Sequence, residues 1–366
     1  MMNFFHTHIS PSAIDLVVET LRSTFLSEGR LVRRFEEELA QRLGLVRPVA
    51  VNSGTSALHL GLVVGGIGPG DEVILPPQTF VASGLAILMC GAKAVFADVQ
   101  THTGNLDPAA IREAITERTK AIMPVHWGGY PCDMDEINAI AEQHGLVVLE
   151  DAAHALGATY KGRVVGSLSR LTAFSFQAIK HLTTGDGGAL CCRDEQDYHE
   201  ARRLRWFGID RERDRPSLLG ERVYDLDRVG FKYHLNDLAA AVGLGNLPDV
   251  PTILARHRQI ARVYREGLSD VAGLTHLQSR SDREGSCWIY TVLVERRDDF
   301  ARAMTSRGVP VTVVHQRIDR NRVFGGARAE LPGQRFFDAH QIALPIHCGL
   351  TEADVAQIID AVRSGW

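Results

Sequence analysis

Short runs of apolar residues alternate with helical patterns in the first half of the chain, from about residue 49 to residue 192. This alternation is typical of βαβ units, in which consecutive strands run parallel and a helix connects them. Several runs are apolar at every position, as expected for strands buried on both faces of a sheet. The predicted strands cover residues 49–52, 72–76, 92–99, 121–125, 146–151, 171–176 and 188–192. We therefore expect an α/β fold with a mostly parallel sheet sandwiched by helices.

Helical patterns fill several of the segments between these strands, and glycines mark where two of them end. One pattern (TSALHLGLVV) begins after Gly54, a second (TFVASGLAILMC) ends before Gly91, and a third (DMDEINAIAEQHG) ends on Gly145. Glycine is favoured directly after a helix because it adopts the left-handed backbone conformation at no steric cost. These helices are the predicted connections between parallel strands.

Residues 229–247 (VGFKYHLNDLAAAVGLGNL) are rich in alanine and predict one helix in contact with another surface. A long polar helix follows it. The βα rhythm then resumes more weakly, with predicted strands in residues 287–295 (CWIYTVLVE) and 309–315 (VPVTVVH). In the last helical pattern, Thr351 is the expected N-cap and Asp354 stands three residues later.

This weaker second pattern predicts a smaller C-terminal α/β domain. A chain of 366 residues is also longer than one ordinary core requires. We place the boundary near residue 250, which gives a large domain of residues 1–250 and a small domain of residues 251–366.

The composition of the chain argues against some classes of binding partner and favours one cellular compartment. The chain has 40 basic and 44 acidic residues and a formal net charge of -4, which gives no bulk attraction to nucleic acid or to an anionic membrane. No apolar run approaches the roughly 20 residues of a membrane span, and the N-terminus has no signal-peptide pattern. Six cysteines without a C-x-x-C pair favour reduced thiols and a cytoplasmic protein. No histidine or cysteine group has zinc-like spacing, so we expect no metal.

Three stretches of the predicted large domain carry chemistry that converges on one cofactor. Gly54, Thr55 and Ser56 lie at a helix start after a strand, where free amides, hydroxyls and the helix dipole favour a phosphate. Asp151 ends an apolar strand, and a buried carboxylate there requires a cationic partner such as a protonated pyridine nitrogen. Lys180 follows the next strand, and a desolvated amine forms a Schiff base with an aldehyde. Phosphate, pyridinium and aldehyde together describe pyridoxal 5'-phosphate.

Each of these signals has an ordinary structural alternative. The Gly54 stretch alone fits a capped helix, Asp151 alone fits a turn residue after its strand, and Lys180 alone fits a surface lysine. A cofactor site is favoured only because all three occur together: the Gly54 turn after one strand, Asp151 at the end of a second strand, and Lys180 before a glycine-rich loop.

The motifs along almost the whole chain resemble those of the DegT/DnrJ/EryC1/StrS aminotransferases. The matching segments are FEEELAQRLG, VNSGTSALHLGL, GPGDEVILPPQTFVAS, EDAAHALGA, FSFQAIKHLTTGDGGAL, VGFKYHLNDLAAAVG and LPIHCGLTEADVAQI. The resemblance implies the aspartate aminotransferase-like fold, type I among pyridoxal phosphate enzymes, and a homodimer whose subunits share their active sites. It also implies transfer of an amino group from glutamate to a keto-sugar nucleotide, such as a 4-keto-6-deoxy sugar.

The resemblance also assigns roles to individual residues. Lys180 is similar to the lysine that holds the cofactor, and Asp151 to the partner of the ring nitrogen. His154 stands near the expected position of the phenolic oxygen, although a buried structural histidine is the alternative. Phe80 matches the aromatic residue that stacks on the ring, against the alternative of a core residue. The expected phosphate ligands match the positions of Thr55 and Ser175.

Three departures from the family pattern limit these assignments. Lys232 stands in GFKYH where many members carry an asparagine that reaches the partner subunit's phosphate. Asp186 replaces the usual glutamate of the glycine-rich loop. Residues 313–324 have no clear counterpart of the family's sugar-site segment, so the resemblance assigns no role to His315 or Arg320.

Several functional alternatives remain open at the level of sequence. For an aminotransferase, the acceptor is either a keto-sugar nucleotide or a cyclitol or other carbocyclic ketone. A sugar dehydratase of the same family is another alternative. Such a dehydratase carries histidine in place of the Schiff-base lysine; this chain has Lys180 at that position, with His181 as the next residue. A non-enzymatic scaffold on the same fold is a further alternative. Arginines at 202, 203, 205, 211, 213 and 215 either meet a diphosphate or form a solvated or inter-subunit face.

Overall fold

The computed structural model describes residues 2–210, 217–222 and 224–366, and its strands follow the predicted order closely. The strands are β1 (Pro48–Val51), β2 (Glu72–Leu75), β3 (Lys93–Phe96), β4 (Thr119–Ile122), β5 (Val147–Asp151), β6 (Thr159–Tyr160), β7 (Arg163–Val164), β8 (Leu171–Ser175), β9 (Gly188–Cys192), β10 (Leu274–His276), β11 (Arg283–Glu284), β12 (Tyr290–Val294) and β13 (Gln341–Leu344). All seven strands predicted between residues 49 and 192 are present, so the βαβ pattern is confirmed.

The helices lie between these strands and on both sides of the main sheet. They are α1 (Pro11–Ser23), α2 (Arg30–Leu43), α3 (Gly54–Val64), α4 (Val81–Met89), α5 (Pro108–Ala114), α6 (Met134–His144), α7 (Glu195–Leu204), α8 (Asp237–Asn246), α9 (Val250–Gly267), α10 (Arg297–Ser306), α11 (Pro332–His340) and α12 (Glu352–Arg363). The expected end of α6 at Gly145 is confirmed by its left-handed backbone, with φ of 65°. The capping box of Thr351 and Asp354 at the start of α12 is also confirmed.

The main sheet of the described residues has the strand order β1-β9-β8-β5-β4-β2-β3. Only β9 runs antiparallel to its neighbours, β1 and β8, while the other pairs are parallel. Apolar clusters pack on both faces of this sheet. The expected α/β fold with a mostly parallel sheet between helices is therefore confirmed.

A separate apolar cluster surrounds the antiparallel sheet of β10, β12 and β13. Helix α9 links the two parts, because Leu254 in its first half packs in a cluster of the main sheet and Tyr264 in its second half packs in the cluster of the small sheet. The division of the chain at residue 250 stays a prediction.

The single helix predicted over residues 229–247 is wrong in its first half. Helix α8 begins only at Asp237, where the side chain of Asn236 accepts a hydrogen bond from the amide of Ala239. The preceding residues are extended instead, with bridges from Lys232 to Trp206 and from His234 to Val51. Alternating aromatic residues in FKYH fit such an extended segment, and the asparagine cap fixes where the helix starts.

The strand predicted over residues 309–315 is also wrong. The segment forms only an isolated bridge between Thr312 and Ala343. The carbonyl of His315 accepts hydrogen bonds from the side-chain amides of Gln78 and Gln341, both at 3.2 Å. Side chains thus satisfy a backbone group that a regular strand would pair with a neighbouring strand.

Among the described residues, the helical stretch Asp237–Gly267 is long and apolar enough by length and composition to cross a membrane. This stretch comprises α8 and α9, and the most apolar part of it is 56% buried inside the protein. Core helices of globular proteins pass the same test, so the stretch carries little weight as a membrane segment.

Candidate active site

The predicted site residues come together at one edge of the main sheet. Strands β1 and β8 both run antiparallel to β9 and therefore parallel to each other, and β5 is parallel to β8. Their carboxyl ends lead into Ser53, Asp151 and Ser175 on the same side of the molecule. Open α/β sheets bind ligands in the crevice outside the carboxyl ends of their strands.

Asp151 is a buried carboxylate held by two hydrogen bonds. The hydroxyl of Ser83 donates to its Oδ2 at 2.7 Å, and the amide of Ala153 donates to its Oδ1 at 3.1 Å. Burial raises the pKa of Asp151, while the Ser83 hydrogen bond and the charge of Lys180 act in the opposite direction. A cation placed against this carboxylate would stabilise its charged form.

Lys180 lies in the loop after β8, and its amine contacts an aromatic ring. The nitrogen Nζ is 3.4 Å from the centroid of the Trp288 ring. The residue as a whole is half-buried, but its amine is taken out of water. Burial lowers the pKa of Lys180 to about 7, and the Asp151 charge opposes that shift. An amine with this pKa is present in both protonation states at neutral pH, as a group that moves protons requires.

The start of α3 forms a narrow cradle against the end of β8. A Cβ added to Gly54 would lie 2.9 Å from Cβ of Ser175, so only glycine allows this approach. The hydroxyl of Ser53 accepts from the amide of Ser56 and caps the helix. Free amides at such a helix start, together with the Ser175 hydroxyl, form a suitable site for a phosphate.

Two of the predicted phosphate ligands differ in how available their hydroxyls are. Ser56 is buried, and its hydroxyl donates to Oδ1 of Asn52 at 2.6 Å. Without a ligand, the Ser56 hydroxyl therefore stabilises the turn before α3. Thr55 is half-buried at the first turn of the helix.

Four rings cluster beside the amine of Lys180. Trp288 stacks on Phe5 at a centroid distance of 5.5 Å and on His154 at 3.9 Å, and His154 stacks on His315 at 5.6 Å. Phe80 lies at the edge of this cluster, 5.2 Å from the ring of His315, and it is 54% exposed. The alternative of a plain core residue is therefore wrong for Phe80.

The two histidines of this ring cluster each have a buried nitrogen without a hydrogen bond. Nδ1 of His154 and Nε2 of His315 are buried and have no partner in the described protein. Burial and the nearby Lys180 charge lower the pKa of His154 well below its usual value and that of His315 to about 4. Both rings are neutral at pH 7, and each has a nitrogen available to a ligand.

Lys232 borders the site within its own chain. Its carbonyl accepts from the side-chain amide of Asn52 at 3.2 Å, so its backbone lies beside the cradle, but its side chain is exposed. Asp186, in the glycine-rich loop, is exposed as well. The structure thus leaves the predicted role of Lys232 across a subunit interface untested.

The predicted basic stretch divides into different environments. Arg205 is buried and pairs with Glu28 and Glu36, which makes it a structural residue rather than a diphosphate ligand or a solvated one. Arg203 pairs with Glu200 and Asp227. The arginines at 211, 213 and 215 lie outside the described residues.

Two residues of the site were missed by sequence analysis. Ser83 stands three residues after Phe80 in the first turn of α4, a spacing that places both on one helix face and could have indicated it. Trp288 lies 108 residues beyond Lys180 in the chain, and no local pattern connects them. Arg320, to which the sequence assigned no role, is half exposed and pairs with Asp338 at 2.6 Å.

Comparison with known proteins identifies the family. The DegT/DnrJ/EryC1/StrS aminotransferase family matches residues 8–363. The chain belongs to this family. As a member it is a pyridoxal phosphate-dependent transaminase, and the reading as a non-enzymatic scaffold is wrong.

Named relatives cover nearly the whole chain. The spore coat polysaccharide biosynthesis protein SpsC of Bacillus subtilis is 38% identical over 97% of this chain and 94% of its own length. The GDP-perosamine synthase of Caulobacter vibrioides is 37% identical over 95% of this chain and 94% of its own length. The crystal structure of the sugar aminotransferase CalS13 from Micromonospora echinospora has a TM-score of 0.95 and 34% identity, with 100% of both chains covered.

The residues present fit the cofactor that the family implies. The protein Spr1654 from Streptococcus pneumoniae, 30% identical, has structures described as PLP-form and PMP-form. In the present chain, the cradle that a Cβ at Gly54 would fill suits the phosphate, and the buried Asp151 suits a cationic ring nitrogen. The unpartnered Nδ1 of His154 provides one more polar contact for a bound ring. Among the described residues, no group of three or more His, Cys, Asp or Glu side chains is arranged to hold a metal ion.

Proposed function

We propose that this protein transfers an amino group from glutamate to a keto-sugar nucleotide, with a 4-keto-6-deoxy sugar as the acceptor. The observation that carries the proposal is the convergence of Lys180, Asp151 and the Gly54 cradle at one sheet edge, in a family whose members include sugar aminotransferases. Pyridoxal phosphate, when bound, supplies the electron sink for the C–H bond that breaks.

In this proposal the protein residues divide the work of holding the cofactor and moving the proton. The cradle at Gly54, Thr55 and Ser175 binds the phosphate. The carboxylate of Asp151, oriented by Ser83, would keep the ring nitrogen protonated, and the exposed ring of Phe80 would help to hold the cofactor ring. Nζ of Lys180, with its pKa near neutrality, would take a proton from the carbon of the amino donor and, in the second half-reaction, would deliver a proton to the carbon of the ketone acceptor.

The proposal includes a homodimer with shared active sites, in which Lys232 reaches the partner subunit's cofactor phosphate. The side chain of Lys232 is exposed in the single chain and its backbone lies beside the cradle, which supports this role. Large apolar residues stand exposed in the stretch before it, with Leu219 81% and Val229 82% accessible. Such exposure favours burial against a second copy. The six free cysteines favour a cytoplasmic location.

Isotope transfer to a panel of ketones tests the proposed reaction. Purified enzyme is incubated with ¹⁵N-glutamate and, separately, with keto-sugar nucleotides and carbocyclic ketones, and products are read by mass. We expect ¹⁵N in the amino-sugar nucleotide and none with the Lys180→Ala variant. Label appearing only in a carbocyclic product would replace the proposed acceptor, and loss of water without label would indicate a dehydratase.

A further inference from the structure

Trp288 lies in the active site although it comes from the C-terminal part of the chain. It stands two residues before β12 and is only 2% exposed. Its indole Nε1 donates to the carbonyl of Ile179 at 2.9 Å, and its backbone amide donates to the carbonyl of Gly128 at 2.9 Å. The hydrogen bond to Ile179 therefore fixes the indole of Trp288 next to the backbone that directly precedes Lys180.

Neighbouring rings hold the indole in one orientation. His154 stacks on it with an interplanar angle of 22°, and Phe5 stacks with an angle of 21°. The centroid of the ring lies 3.4 Å from Nζ of Lys180. A cation over the face of a tryptophan is attracted by the electron-rich ring, and the attraction is strongest where water is excluded.

We propose that Trp288 is the positioning residue of the Lys180 amine. Its ring face holds Nζ as an ammonium, and its N–H fixes the backbone at Ile179, so that the amine stays in one place when it is not bonded to a ligand. The inference rests on the proposed role of Lys180, and it connects that lysine to residues 287–289, which lead into the small sheet.

Other groups facing the amine determine what the ring contributes. Asp151 on β5 favours the ammonium form of Lys180. His154, His181 and His315 lie close enough for the charge of Lys180 to lower the pKa of each of them. The histidines are neutral near pH 7, so Trp288 and Asp151 are the groups that stabilise the ammonium against burial.

The pKa of Lys180 in the cofactor-free protein tests this inference directly. Competitive labelling with isotopic acetic anhydride over a pH series, followed by peptide mapping, gives the pKa of each lysine separately. A cation–π contact of about 0.5–2 kcal/mol corresponds to roughly 0.4–1.5 pKa units. We expect Trp288→Leu to lower the pKa of Lys180 by about one unit and Trp288→Phe to restore most of it. The exposed Lys120 in the same protein is the internal control, and its pKa should not change.

A second measurement avoids any loss of packing. Fluorinated tryptophans placed at position 288 keep the shape of the ring and withdraw electrons from its face, so the pKa of Lys180 should fall stepwise with the number of fluorines. An unchanged pKa across this series, or an unchanged pKa in a folded Trp288→Leu protein, would overturn the inference. Because the labelling needs neither substrate nor turnover, its failure is distinguishable from failure of the proposed amino transfer.

Discussion

Gly54→Ala is the substitution that most directly probes the cradle between α3 and β8. The added Cβ would lie 2.9 Å from Cβ, 3.2 Å from Oγ and 3.3 Å from Cα of Ser175. Carbon atoms in contact prefer about 3.5–4.0 Å, so the helix start and the strand end must separate by roughly 0.6 Å or more. The neighbour includes backbone, which cannot rotate away as the end of a flexible side chain can.

This separation should weaken cofactor binding more than folding. A hydrogen bond to a charged group is worth about 1.5–3 kcal/mol, so losing one phosphate contact raises the dissociation constant roughly 10- to 150-fold. Alanine is also a better helix former than glycine by about 1 kcal/mol, which offsets part of the strain in the folded protein. We therefore expect a large loss of affinity with a modest change in thermal stability.

Equilibrium titration of the cofactor-free protein with pyridoxal phosphate measures the dissociation constant, and thermal unfolding measures stability. Gly68→Ala is the matched control, because an added Cβ there meets nothing within 4 Å. Affinity of Gly54→Ala within twofold of the Gly68→Ala protein would refute the assignment of this cradle to the phosphate.

Three further predictions address other parts of the account. Ser83→Ala should raise the pKa of Asp151 further, because a hydrogen bond to the carboxylate is lost, and should lower the single-turnover rate with glutamate about tenfold or more; Ser269→Ala, which removes an exposed hydroxyl bonded to the carbonyl of Glu266, is the control, and equal rates in the two proteins would contradict the role of Ser83. Mixing Lys180→Ala and Lys232→Ala chains, each inactive alone, should partly restore activity if the sites are shared; a mixture that exchanges subunits and stays inactive excludes that model. Arg205→Met should reduce the free energy of unfolding by about 3–5 kcal/mol, because the buried Glu36 and the half-buried Glu28 lose their ion pairs with the buried guanidinium; urea denaturation gives the value, and a change below 1 kcal/mol would contradict it.

Features of the fold and the site that neighbouring residues determine could be predicted from the sequence. Features that depend on residues far apart in the chain could not. Lys180 and Asp151 each lie at or just after an apolar strand, and parallel strands bring their carboxyl ends to one edge, so local patterns sufficed for them. The segment at 309–315 looked like a strand because its composition is β-prone. Its carbonyl at His315 is instead bound by Gln78 and Gln341, which no local pattern reveals.

The same reasoning explains the helix that begins late and the tryptophan that was missed. An apolar stretch at 229–247 fits a helix, yet Asn236 caps the backbone seven residues into it, and the earlier residues pair as extended chain. Trp288 reaches Lys180 through tertiary packing of chain segments far apart in sequence. Contacts of that kind depend on the completed fold and leave no periodic signal.

Reductive trapping of the cofactor shows which amine of the protein holds it. Borohydride fixes pyridoxal phosphate to the amine that holds it, and peptide mapping by mass identifies that amine. We expect a single modified residue, Lys180, and no label in the Lys180→Ala protein. Stoichiometric label on Lys120, Lys161 or Lys232 in the unmodified sequence would contradict the assignment of the active site.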